Sequence, residues 1–305
     1  MTHARNTQVP LSPRNLRRRS VAIAKRSPAL LIVVGVVMLL FGVAGRATDG
    51  VGAVFGLGVS ARSLGVGGAR AAFADDASAS TLNPASLGWV KQMGVGSLYM
   101  EEFGGASYGS LAFAAPYVGL STLFVDSGWI SSGDSGFRFA AQGLTVSAAV
   151  PVGPVAGGLR WRFLRYGQPF EAHGWALDAG LLARFGPVKV GAILDAAVSA
   201  PMAFAAGSVE NWIPNLCLGV ALTLTPYPDV TWITTVDVEG VLHGPIGLRG
   251  GSEAWVGPLA ARLGWDGDGP TFGLSVRVLG FEVDWSCAVR SDLGVSHRVS
   301  LEVLF

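Results

Sequence analysis

The side chains whose spacing could do chemistry are charged residues set at every second position in apolar runs. Arg160 and Arg162 alternate with Leu159, Trp161 and Phe163. Glu282 and Asp284 alternate with Phe281, Val283 and Trp285, and Arg290 closes that run. Asp178, Arg184, Arg262, Arg277 and Arg298 fall in similar surroundings. In an extended chain, residues two apart share a face. Acids and arginines on one face of neighbouring strands can neutralise one another across a confined polar interior. That is the chemistry of a charged lumen, and these ten residues are its expected lining.

Bond-making chemistry finds little support. The histidines His3, His173, His243 and His297 are scattered, and no serine elbow or zinc-type spacing accompanies them. Gly56 to Ala61 formally fits a G-x-G-x-x-A fingerprint, but no βαβ unit surrounds it. Asp266-Gly267-Asp268-Gly269 reads as a hairpin turn, because Asp-Gly pairs favour such turns. Cys217 and Cys287 fall on opposite strand faces and are expected to be free thiols. The sequence therefore predicts no enzyme, no metal site and no cofactor.

The elements that must carry the charged faces are strands. From Gly94 onward period-two alternation dominates and helical periodicity is scarce. Strands are expected to begin near Gly94, Ala106, Tyr117, Gln142, Val155, Trp175, Val188, Pro214, Val230, Gly247, Leu259, Thr271, Phe281 and Val295. Fourteen is an even number, as single-chain bacterial barrels require. Connections alternate between short turns and longer loops, the latter at Asp126 to Ala141, Arg165 to Gly174 and Ser199 to Ile213. Short periplasmic turns and long outer loops are the barrel pattern. A soluble β-sandwich also alternates. Mid-strand charges of both signs argue against it, as do Tyr99, Trp175, Trp232, Trp255, Trp265 and Trp285 on apolar faces or near strand ends. The expected fold is all-β, a 14-stranded antiparallel transmembrane β-barrel over 94–305 with a short N-terminal plug segment.

Composition agrees. Of 305 residues, 50% are hydrophobic and only 14% charged, with 43 glycines. Only Ala29 to Ala44 is long enough to consider as a membrane helix, which excludes a polytopic helical protein. The formal charge of +1 hides two parts. Residues 1–47 hold eight basic and no acidic residues, whereas the remainder holds 14 basic and 21 acidic residues, a net −7. No nucleic-acid partner follows from such a balance. Basic residues followed by Ser27 to Ala44 and small residues have the layout of an export signal. Cleavage fits after Ala47 or after Ala44; an uncleaved anchor is the alternative.

Between signal and barrel, 48–93 is rich in Ala and Ser. Its runs Ala61-Arg62-Ser63-Leu64-Gly65, Gly68-Ala69-Arg70, Ala74 to Ala79 and Asn83-Pro84-Ala85-Ser86-Leu87 resemble the N-terminal signature of the PorV/PorQ family. That family is related to the FadL group of fatty-acid channels. Leu248 to Trp255 and Arg298-Val299-Ser300-Leu301 resemble later strands of the same family. The resemblance implies that this segment folds inside the barrel, with Asn83-Pro84-Ala85 entering the first strand from the lumen. It also implies that Asp75 and Asp76 pair with lumen arginines; a solvated turn or helix cap is the other reading of that pair. The segment is short compared with the plugs of fatty-acid channels.

The chain ends on Val299, Leu301, Val303 and Phe305 at alternate positions, which resembles the signal read by outer-membrane barrel assembly machinery. The expected location is the outer membrane of a Gram-negative-type bacterium. The expected partners are outer-membrane lipid, that machinery, and hydrophobic small molecules or secreted proteins. The expected function is a passive channel for small hydrophobic molecules. The alternatives are a PorV-like accessory barrel in protein secretion or surface attachment, and a structural barrel.

Overall fold

The computed structural model describes residues 51–102, 105–132, 135–243, 245–291 and 293–305. The expected export signal, 1–47, lies outside them. Among the described residues no helix is long and apolar enough to cross a membrane. The described residues from Gly94 onward are mostly strands.

Fifteen strands follow one another: β1 Gly94–Glu102, β2 Ala106–Ala115, β3 Val118–Ser132, β4 Ser135–Val152, β5 Val155–Tyr166, β6 Ala172–Phe185, β7 Val188–Phe204, β8 Val209–Glu210, β9 Asn215–Tyr227, β10 Val230–Glu239, β11 Gly247–Val256, β12 Leu259–Trp265, β13 Pro270–Val278, β14 Phe281–Arg290 and β15 Gly294–Leu304. β8 is a two-residue ribbon folded against the top of β7. The other fourteen are staves, each antiparallel to its chain neighbour. β1 pairs with β15, and β6 with β7 through to β9, so the ring has no free edge. Closure satisfies every ladder, as a span in lipid requires.

The pleat sorts the side chains. Leu111, Leu120, Phe124, Val146, Leu274 and Val283 point outward and are exposed. Arg160, Asp178, Asp237, Glu253 and Asp284 point inward and are buried. An apolar outside and a charged inside invert the soluble arrangement. The short turns share local chemistry. Gly153-Pro154, Gly186-Pro187 and Gly257-Pro258 each place a glycine with positive φ, 59°, 59° and 58°, at the first turn position. A two-residue hairpin of the II′ kind needs this. These turns sit at the same end as both termini of the barrel, where the Phe305 amide bonds the Met93 carbonyl at 2.9 Å. By the barrel rule that end faces the periplasm.

Four expectations need correction. Asp126 to Ala141 is not a loop, because β3 and β4 continue through it as a hairpin. β4 therefore starts at Ser135, well before Gln142. Above the membrane neither face of that ribbon meets lipid, so alternation fades and the strand goes unread. The later loops shrink for the same reason, with β6 starting at Ala172 and β7 running to Phe204. Finally, Trp255 does not join an aromatic girdle. It is 7% exposed and faces inward, with the Arg277 and Arg262 guanidiniums 4.3 and 5.7 Å from its ring. A cation stacked on indole hides a tryptophan that spacing alone would send to the interface.

The outward face makes a prediction. Leu274 is 56% exposed, and on a soluble protein Leu274→Arg would cost little. Facing lipid mid-strand, it should cost about 2–4 kcal/mol. Urea unfolding in liposomes, scored by the SDS mobility shift of the unheated barrel, measures it; a neutral result would contradict a lipid-facing wall.

Candidate functional site

Residues 51–93 lie inside the ring as a chain of short helical turns. The 3-10 stretch Val51–Leu57 leads to the helical turn Ala61–Gly65, then Ala77–Ser80 and Pro84–Trp89. Ser60, Asp76 and Asn83 cap the last three, each side-chain oxygen accepting an amide two residues on. Such caps satisfy amides that a short helix leaves bare. Pro84 at the first helical position loses nothing by lacking a donor.

Glycines in the wall let this plug lie against it. A Cβ on Gly191 would stand 1.8 Å from the Ala71 carbonyl oxygen, and one on Gly180 would stand 2.2 Å from Asn83 Oδ1. Asn83 Nδ2 donates to the Ala71 carbonyl at 2.6 Å and to that of Leu181 on β6 at 3.1 Å. Asn83-Pro84-Ala85 thus rests against β5 and β6 and does not feed directly into β1. The reason is length: the turn Pro84–Trp89 and the residues to Met93 intervene before β1 begins.

Three ionic anchors bind plug to wall. Arg62 donates from Nε and Nη2 to both oxygens of Glu253 on β11, at 2.9 and 2.8 Å. Glu253 is shared with Arg262 of β12 at 2.6 Å. Arg70 reaches Asp195 of β7 at 2.6 Å and Glu239 of β10 at 2.9 Å. The Arg70 and Ala71 amides donate to Asp237 Oδ2 at 2.6 and 2.8 Å. In the third anchor the wall supplies the cation. Arg160 bonds Asp178 at 2.6 Å and Asp195 at 2.7 Å, and also grips the Thr81 and Leu82 carbonyls. Hydrogen bonds from the Ala61 amide to Ser300 Oγ, 3.0 Å, and from the Ala77 amide to Glu302, 2.8 Å, complete the clamp.

The expected lumen residues separate into groups. Arg160, Arg162, Asp178, Arg262, Glu282, Asp284 and Arg298 are buried inside. Arg162 meets Asp178 at 2.7 Å. Arg184 and Arg277 stand half open near the short-turn mouth, Arg184 stacked 4.4 Å from Trp89 and Arg277 paired with Glu282. Arg290 belongs elsewhere: it pairs with Asp266 on the loop rim at 2.7 Å, because β14 ends there. Asp75 and Asp76 bind the plug's own Arg62 at 2.9 and 2.6 Å, with Lys189 of β7 3.7 Å from Asp75. No wall arginine pairs with them among the described residues, since Arg62 is already adjacent. Asp75 stands at the open edge of the wall, and the charges of Arg62 and Lys189 beside it hold its carboxyl low, at about 2. Asp76 is also a helix cap. Val299, Leu301, Val303 and Phe305 line the outer face of the last strand and its end. Both cysteines are free and buried, with Cys217 facing inward.

Sequence reasoning missed Arg62, Arg70 and Glu253 as charge partners, and Asp195, Asp237 and Glu239 altogether. Asp237 and Glu239 were findable, because they alternate at the end of β10. Asp195 is a lone acid in an apolar strand, inward by the same alternation as Gly191 and Ile193, with a β-bulge following at Ala196, φ +50°.

The remaining space is asymmetric. At the short-turn mouth a charged vestibule of about 930 Å³ opens beneath the plug, bordered by Asp75, Lys91, Arg184, Lys189 and Arg277. At the loop side a cavity of about 60 Å³ lies among Phe55, Trp212, Arg162 and Asp195. Above it an apolar column of Leu164, Ala176, Met202, Trp212 and Val51 climbs along β4 to β7. Aromatic rings extend it outward: Phe55 against Trp212 at 6.2 Å, Tyr166 against Phe139 at 5.2 Å and Phe204 at 5.9 Å, and Phe137 against Phe170 at 5.5 Å.

No family model and no curated protein matches the chain. Solved structures do. The fold is similar to that of the Pseudomonas putida toluene transporter TodX, with a TM-score of 0.55 and 11% identity, over 81% of this chain and 96% of that one. A mutant of the monoaromatic hydrocarbon channel TodX gives a TM-score of 0.53 and 12% identity, over 81% and 99%. At such identities the likeness establishes the fold, which is that of bacterial outer-membrane barrels.

Two predictions follow from the clamp. Arg62→Met takes the ion-pair partner from buried Asp76 and leaves Glu253 to Arg262 alone, and should destabilise the plug by about 3 kcal/mol. Amide exchange at Ala61 and Ala77 should accelerate while the β-ladders stay protected; equal loss throughout would mean the plug has no separate latch. The Asp75 carboxyl is depressed, so its contribution is full above the ordinary carboxyl range and fades as pH falls toward about 2. The carboxyl carbon resonance of Asp75 should therefore stay constant from pH 7 to 4 and move only near pH 2; a midpoint in the ordinary carboxyl range would reject its pairing with Arg62.

Proposed function

We propose that the chain is a passive outer-membrane channel for small hydrophobic molecules. The observation that carries this reading is the apolar, aromatic-lined column on the loop side. It leads from Phe137 and Phe170 down to Phe55 and Trp212, against the plug. A pore for sugars or ions would carry polar groups along its entrance, whereas this one carries rings. TodX, described as a toluene transporter, shares the fold.

The plug shuts the resting barrel. Its residues from Ala61 to Leu87 are pinned by ion pairs and wall glycines, whereas Val51–Leu57 is held chiefly by apolar packing. Movement of that first 3-10 stretch, with Phe55 leaving Trp212, would join the column to the small cavity beneath. Substrate would then pass along the plug surface into the charged vestibule. Diffusion down a gradient needs no energy coupling.

A second reading is an accessory barrel in protein secretion or surface attachment. Its support is the PorV/PorQ resemblance of 61–87, together with the tall hairpin of β3 and β4, whose 15 and 18 residues overtop the 7 of β12. Co-purification with one secreted protein would favour it.

Cells with an intact lipopolysaccharide leaflet exclude N-phenylnaphthylamine, so its uptake tests the channel. Expression should speed uptake, Trp212→Ala should alter the rate severalfold, and deletion of Ala61 to Leu87 should admit polar solutes as well. Uptake no faster than in cells lacking the protein would reject the channel.

A further inference from the structure

We infer that Arg165 and His173 form a binding site on the outer wall for the phosphate of an outer-leaflet lipid. The inference rests on the membrane-spanning fold and is independent of what the lumen conducts.

The outward face of β5 reads Val155, Gly157, Leu159, Trp161, Phe163 and then Arg165. The outward face of β6, followed up from the same turn, reads Phe185, Ala183, Leu181, Ala179, Leu177 and Trp175, and then His173. Both ladders are free of charge until that level, and there they present two basic side chains directly opposite each other in the register. Ten residues separate Val155 from Arg165. At about 3.3 Å per residue and a tilt near 40°, they climb about 25 Å, the height of the apolar band of an outer-membrane barrel. Arg165 and His173 therefore stand where the outer leaflet's headgroups begin.

The surroundings fit an amphiphile. Below the pair lie Trp161 and Phe163, stacked at 6.0 Å, with Trp175 opposite Phe163. Such rings suit the boundary between acyl chains and headgroups. Beside the pair is a hollow of about 400 Å³ bordered by Tyr166, Glu171, Phe204 and Ala205. Glu171 is engaged by Gln168 Nε2 at 2.8 Å. Arg165 is exposed and makes no ion pair among the described residues. Arg138, the other outward arginine of this wall, differs, because Asp126 on β3 neutralises it through a 2.7 Å bond from its Nε. A guanidinium left unpaired at headgroup height, above an aromatic shelf, matches a phosphate monoester attached to acyl chains.

The test uses the folded full barrel in detergent, verified by its SDS mobility shift, and native mass spectrometry with three probes. Bis-phosphorylated lipid A should be retained, its dephosphorylated form should not, and millimolar inorganic phosphate should leave the retained lipid in place. Arg165→Gln should weaken retention about tenfold. His173→Gln should weaken it less, and Arg138→Gln should have no effect. Equal retention of both lipids, or unchanged retention by Arg165→Gln, would overturn the site. Displacement by inorganic phosphate alone would reassign it to a free anion and reject the lipid.

Discussion

The structure depends on one constraint: a wall that shows only apolar side chains to lipid must turn its charges inward, and buried charges must be neutralised there. Among the described residues the staves bury eight carboxylates but only four arginines, Arg160, Arg162, Arg262 and Arg298. The ring is therefore acidic within. Arg62 and Arg70 of the plug supply the missing cations, and the amides of Arg70, Ala71 and Ala77 solvate Asp237 and Glu302. Each desolvated ion would cost several kcal/mol if left unmatched. Plug and barrel are halves of one electrostatic unit, and neither is a complete interior without the other.

Pairing at such distances needs the two backbones to touch. Charge alone would leave the plug suspended on long side chains. Instead, Gly180 and Gly191 remove the wall's own side chains where Asn83 and Ala71 arrive. Small residues at closest approach and arginines beside them play different parts. The first set the position of the plug, and the second make that position the neutral one. The abundance of glycine in the sequence is partly this imprint and partly the turns, where Gly153, Gly186 and Gly257 reverse the chain.

Much of the fold was legible because lipid and lumen impose opposite demands on successive residues. Phe281 to Arg290 and Val155 to Tyr166 declare themselves by alternation, and the Gly-Pro turns bound the staves on one side. Legibility ends where that contrast ends. Ser135 to Ala141 projects beyond the membrane, so its two faces have similar surroundings and the strand looks like a loop. Inside the barrel, the sequence marks which residues are charged but not which partners they meet. Glu253 and Arg62 are 191 positions apart and are joined only by the curvature of the closed ring. Arg290 shows the converse error, since it alternates correctly yet pairs at the loop rim with Asp266. Face can be read from periodicity; height along the barrel axis requires the register.

The interior is divided as well as neutralised. Ion pairs concentrate along β5 to β7 and β10 to β12 at the level of the plug, while the loop-side column above them is aliphatic and aromatic. Arg162 marks the border, with Asp178 on its polar side and the rings of Phe55 and Trp212 5.2 and 5.3 Å from its guanidinium. A cation so placed belongs to both environments, because it keeps its carboxylate while its flat face accepts the rings. An apolar solute in the column replaces ring by ring contact at little cost. A hydrated ion would have to lose water to the same rings with nothing offered in return. For the proposed channel, selectivity would need no dedicated binding site: it would follow from placing the dry section outermost and the charged section beneath the plug.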